Sequence, residues 1–99
     1  MPPTELPPDW VLAHRRALGD RIRAARKALM MSQERLGELS GADRQTINRI
    51  EQGHYATRID TLFRIARALG VPLADLVREE QRPPLRREEQ GPPSDPPGP

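Results

Sequence analysis

The chain has 99 residues, 35% of them apolar, with one Trp, one Tyr, one Phe and no cysteine. That composition predicts one small domain with a core of Leu, Ile, Ala and Val, and it excludes disulfides, thiolate metal ligands and thiol nucleophiles. The formal charge is +2, but Leu18 to Val77 holds ten Lys/Arg against seven Asp/Glu, so the positive excess falls in the foldable part.

Residues 1–8 carry four prolines and read as a flexible arm. No apolar run approaches the roughly 20 residues of a membrane span, and MPPTELPPDW lacks the charged-then-apolar layout of a secretion signal, so the cytoplasm is the expected compartment and no membrane partner is expected. Asp9 can cap a helix starting at Trp10. Val11, Leu18, Ile22, Ala25 and Leu29 fall on one stripe, which predicts a helix over 18–29. Residues 9–17 are either its extension across Gly19 or a separate short helix.

Ser32 offers a hydroxyl cap to a second helix from Gln33 to about Ser40, whose apolar side is Leu36 and Leu39. Gly41 ends it. Asp43 is a strong cap for a third helix in which Ile47 and Ile50 face inward, and Gly53 terminates that run. Ile59, Leu62, Ala66 and Leu69 mark the buried side of a fourth helix, widened by Phe63 and Ile65 and ended by Gly70. Pro72 suits the first turn of a last short helix, where Leu76 and Val77 close the core. The domain is therefore expected over 18–78. The stretch 79–99 is Pro-rich, poor in apolar residues, and expected to be disordered.

Two helices of about eight residues are too short to stand alone and must brace each other. If Leu36 and Leu39 lock against Ile47 and Ile50, then Arg44, Gln45, Asn48 and Arg49 form one polar surface toward solvent. Such a helix fits a DNA major groove: Arg44 can donate twice to guanine, Gln45 and Asn48 can each pair with adenine, and Thr46 can touch a methyl or a phosphate. Gln33, at the head of the preceding helix, is placed to meet a phosphate. His14 and His54 lie in different elements with no evident acidic partner. With no paired carboxylates in an enclosed setting, neither catalysis, a metal site nor a cofactor is expected.

LGDRIRAARKALMMSQERLGELSGADRQTINRIEQG, continued by IDTLFRIARALGVPLADLV, resembles the Cro/C1-type, or XRE, family of phage and bacterial helix-turn-helix regulators. The most specific part is Ser32-Gln33-Glu34, then Gly41, then Thr46 through Gly53. The resemblance implies an all-α, five-helix, lambda-repressor-like domain whose second and third helices bind DNA. It implies that Arg44, Gln45, Thr46 and Arg49 lie near bases or backbone, that Gln33 lies on phosphate, and that Arg26 and Glu51 pair between the first and third helices. Four departures stand out. Gly37 replaces a usual alanine and should leave a small hole, Asp43 replaces a usual Ser or Thr cap, HYATR replaces a Pro-containing loop with Thr57 or Arg58 as cap, and Met30-Met31 stands where Gly is frequent.

These features predict a small transcriptional regulator, a repressor, acting as a homodimer on a palindromic operator. Its dimer surface would be the last helix or the Trp10 to Leu12 extension. The sequence shows no sensor domain, so control by abundance or by a separate regulatory protein is the simpler expectation. The alternatives are a protein-interaction module or an antitoxin-type component on the same fold.

Overall fold

The computed structural model describes residues 6–54 and 56–79. Five helices follow in order: α1 Asp9–Ala28, α2 Gln33–Ser40, α3 Arg44–Glu51, α4 Ile59–Leu69 and α5 Leu73–Val77. Most of the expected N-terminal arm and the tail from Glu80 onward lie outside the described residues, as does Tyr55.

The caps of the central pair form as their residue types dictate. Ser32 Oγ accepts from the Arg35 N–H at 2.9 Å and Asp43 Oδ1 from the Thr46 N–H at 2.7 Å, each satisfying a donor that the first helical turn leaves open. At α1 the expected cap does not form: Asp9 is the first helical residue, and the Pro8 carbonyl receives the N–H groups of Val11 and Leu12 instead. Pro72 likewise sits one position before α5 rather than in its first turn, and Arg58 precedes α4 without a side-chain cap bond.

Of the two readings of residues 9–17, the structure takes the continuous one, a 20-residue α1 through Gly19. At Gly19 a β-carbon would collide with the carbonyl oxygens of Ile50 and Glu51, so α1 crosses the end of α3 backbone against backbone. Gly37 is equally close-packed. A β-carbon there would lie 2.5 Å from the Ala42 carbonyl oxygen, so the expected hole does not exist: the chain entering α3 fills it.

The core is Ile22, Leu36, Ile47, Ile50, Leu62, Ile65, Ala66, Leu69 and Leu76, with Leu18, Ala25, Met31 and Leu73 packed at its edge. α2 lies on both α3 and α4, and α5 joins α1 to α4. Five expected core positions are exposed instead: Leu29, Leu39, Ile59, Phe63 and Val77. Leu29 stands past the last turn of α1, and Ile59 and Val77 are terminal residues of their helices. Leu39 and Phe63 flank the stripes whose centres, Leu36 and Leu62, meet the neighbouring helices, and elements this short have nothing to cover the flanks.

Met30 explains the frequent glycine at its position. α1 closes with the Met31 N–H on the Arg26 carbonyl at 3.1 Å and the Met30 N–H on the Lys27 carbonyl at 2.9 Å. That pattern requires a left-handed residue between them. Met30 supplies it at φ 56°, with its side chain in solvent.

Candidate nucleic-acid interface

α3 divides cleanly. Ile47, Ile50 and Glu51 are buried, Arg44, Gln45 and Arg49 are exposed, and Thr46 and Asn48 lie half-buried between the two faces. The apolar pair faces the core and fixes the rotation of the helix, so the polar face is presented rather than left to chance. Asp43 secures its start: hydrogen bonds from Thr46, backbone first and side chain second, hold the Asp43 carboxyl below the usual range, aided by the charge of Arg49. A carboxyl lowered in the folded state contributes at neutral pH and loses that contribution as pH falls through its folded value.

The other end of α3 is held by α1. Arg26 Nε and Nη2 donate to Glu51 Oε2 and Oε1 at 2.7 and 2.9 Å, and Arg26 Nη1 donates to the Met31 carbonyl at 2.8 Å. Glu51 is 2% exposed and Arg26 8%, so this bidentate pair is shielded from water and each charge depends on the other. The hydrogen bond to Glu51 raises the Arg26 pKa, with the carboxylate charge adding to it against the opposing effect of burial. Arg23 Nη2 also donates to the Glu51 carbonyl at 3.1 Å, capping the last turn of α3.

Gln33 connects this ion pair to the polar face. Its Nε2 donates to Glu51 Oε1 at 3.1 Å, and its Oε1 accepts from Asn48 Nδ2 at 3.4 Å. The structure thus brings Gln33, Asn48, Glu51 and Arg26 together, while Arg44, Gln45 and Arg49 stand beside them in solvent. Sequence reasoning named all of these residues and missed the two bonds of Gln33, because partners 15 and 18 positions away leave no periodic trace. It also gave His14 no acidic partner, whereas His14 Nε2 lies 4.0 Å from Glu79 and its ring meets Trp10 edge-on.

An open groove of about 370 Å³ lies where the first half of α1 meets α5, lined by Val11, His14, Leu18, Leu76 and Val77 among others. Among the described residues no three His, Asp or Glu side chains converge as metal ligands would, and no helix is long and apolar enough to cross a membrane.

The helix-turn-helix family model matches residues 22–76. An uncharacterized HTH-type transcriptional regulator from Methanothermobacter thermautotrophicus is 49% identical over 49 residues, which are 50% of this chain and 71% of that protein. The chain spans 64% and 49% of the length of two other curated relatives. Among solved structures, the restriction-modification controller protein C.AhdI from Aeromonas hydrophila superposes with a TM-score of 0.64 at 32% identity, covering 66% of this chain and 94% of that one. The P22 c2 repressor protein, solved in complex with a synthetic operator, gives a TM-score of 0.60 at 30% identity over 62% of this chain and 92% of the repressor.

Proposed function

Because the chain belongs to the helix-turn-helix family, we propose that it binds double-stranded DNA as a small transcriptional regulator, a repressor, with α3 lying in the major groove. The observation that carries the proposal is the division of α3: Ile47 and Ile50 are sealed in the core while Arg44, Gln45 and Arg49 are exposed along the opposite side of the same eight residues. A major groove admits one helix and presents base edges that Arg and Gln can engage in pairs of hydrogen bonds. The likeness to a repressor solved on its operator supports the same pose.

In this reading residues 18–78 form the DNA-binding domain and 9–17 a helical extension. Arg44 reads guanine, Gln45 and Arg49 lie over neighbouring bases or phosphates, and Thr46 touches a methyl or a phosphate. Gln33 stands over the backbone, where the second N–H of its amide can meet a phosphate. Arg26, Glu51, Leu36, Ile47 and Ile50 hold the frame. Eight residues touch few base pairs, so specificity calls for a homodimer on a palindromic operator with half-sites about 34 Å apart. A regulator of this kind works where the DNA is, in the cytoplasm, and its abundance or a separate protein would control it.

Selection of the full chain against a random duplex library tests the proposal. Enrichment of one symmetric sequence is the expected result. Arg44→Ala, folded by circular dichroism, should lose the preference at one position of each half-site by roughly tenfold or more. A folded chain that enriches nothing refutes the reading.

A further inference from the structure

Asp43 caps α3, but a cap needs no charge: serine, threonine and asparagine satisfy the same N–H. Its carboxylate stands exposed at the leading end of the helix, one residue before Arg44, and it is held from two sides. On one side α2 backs the chain, since a β-carbon at Gly37 would lie 3.4 Å from the carbonyl carbon of Asp43. On the other, Oδ1 accepts the Thr46 N–H at 2.7 Å. A carboxylate has about four lone-pair sites, and Thr46 engages this one with its backbone N–H and its side chain, so acceptor capacity is left over. Those bonds keep the group ionised at neutral pH, where it accepts and never donates. Among the described residues no ion pair joins it to a Lys or Arg, and Arg49 acts on it through charge alone.

We propose that Asp43 determines specificity, with the outward oxygen of its carboxylate reading a cytosine in the major groove. A duplex offers such a group few partners. Phosphates repel it, as do guanine O6 and thymine O4, and the amines projecting into the major groove are cytosine N4 and adenine N6. Adenine sets the acceptor N7 beside its amine, which opposes a carboxylate, whereas cytosine has a C–H at the neighbouring ring position. A carboxylate in place of the usual Ser or Thr thus disfavours poses that put the tip of α3 on the backbone and rewards one base beneath it. The inference rests on the reading of α3 as a groove-binding helix.

Two variants keep the cap and change what faces the groove. Asp43→Ser offers a hydroxyl to the Thr46 N–H and removes the outward charge. Asp43→Asn has one carbonyl oxygen to give to that N–H, so its amine turns outward where the carboxylate oxygen stood. Both should match the helical circular dichroism of the wild-type chain.

The experiment is selection of the full wild-type chain and both variants from a random duplex library. The wild-type chain should favour cytosine at one position of each half-site by about tenfold or more. Asp43→Ser should reduce that preference to within about threefold, and Asp43→Asn should transfer it to guanine or thymine, whose carbonyls accept from an amine. The preference assigned to Arg44 should persist in both. A side chain that only capped α3 would leave the selected sequence the same in all three chains. That result overturns the assignment while DNA recognition stands, as does a wild-type preference for any other base at the position the variants alter. A wild-type chain that enriches no duplex overturns both.

Discussion

α1 and α4 end on the same pair of hydrogen bonds and place different residues at the turn. In α4 the Val71 N–H reaches the Ala66 carbonyl at 3.1 Å and the Gly70 N–H reaches Arg67 at 3.1 Å, with Gly70 at φ 73°. In α1 Met31 and Met30 make the equivalent bonds to Arg26 and Lys27, with Met30 at φ 56°. Glycine enters that region without a steric penalty, whereas a side chain there costs about 1–2 kcal/mol. The closing hydrogen bonds and the burial of the next residue, Met31 or Val71 against the core, thus dictate the backbone. The residue at the turn then either suits that geometry or is strained by it.

α3 repeats the turn under a further constraint. The His54 N–H reaches Arg49 and Gly53 sits at φ 77°, and here a β-carbon would lie 2.9 Å from Cα of Arg16 in α1. Gly53→Ala should therefore show the largest effect, about 2–4 kcal/mol lost in urea or thermal unfolding, because the left-handed penalty and the backbone clash combine. Gly70→Ala, with nothing within 4 Å of the added carbon, should lose about 1 kcal/mol from the conformational penalty alone. Equal losses at the two sites would mean that α1 yields at Arg16. The smallest effect has the opposite sign: Met30→Gly should stabilise by about 0.5–1 kcal/mol, since relief of strain outweighs the extra freedom glycine has when unfolded. A destabilised Met30→Gly variant would show that Met30 is not strained at its turn.

Local chemistry made much of this architecture readable. Ser32 and Asp43 cap where their side chains can reach an open N–H three residues on, and Gly41 and Gly70 stop helices because the turn demands their conformation. Ile47 and Ile50, three apart, located the buried side of α3. The failures share a cause. Periodicity gives the phase of an apolar stripe but not the width of the neighbour that covers it, so Leu39 and Phe63, expected inside, stand outside. Gly19 read only as an uncertain link within α1, and its actual role is to admit the end of α3, which only the tertiary arrangement brings near; close approach at Gly37 was legible, but not that the chain entering α3 is what approaches. At the site, the residue types on α3 were legible one by one. The orientation of Asn48 was not, because it depends on a carboxylate and an amide from two other places in the chain.

α1 spends three arginines on the protein itself. Arg21 donates to the carbonyls of Leu76 and Arg78, Arg23 to that of Glu51, and Arg26 to Glu51 and Met31. Their hydrogen-bonding capacity is turned toward these carbonyls and this carboxylate, so they are poorly placed to displace condensed cations from a nucleic acid. Affinity should consequently fall with ionic strength less steeply than the basic residue count implies. The expected log–log slope is about 0.9 for each phosphate truly neutralised, set by outward groups such as Arg44 and Arg49.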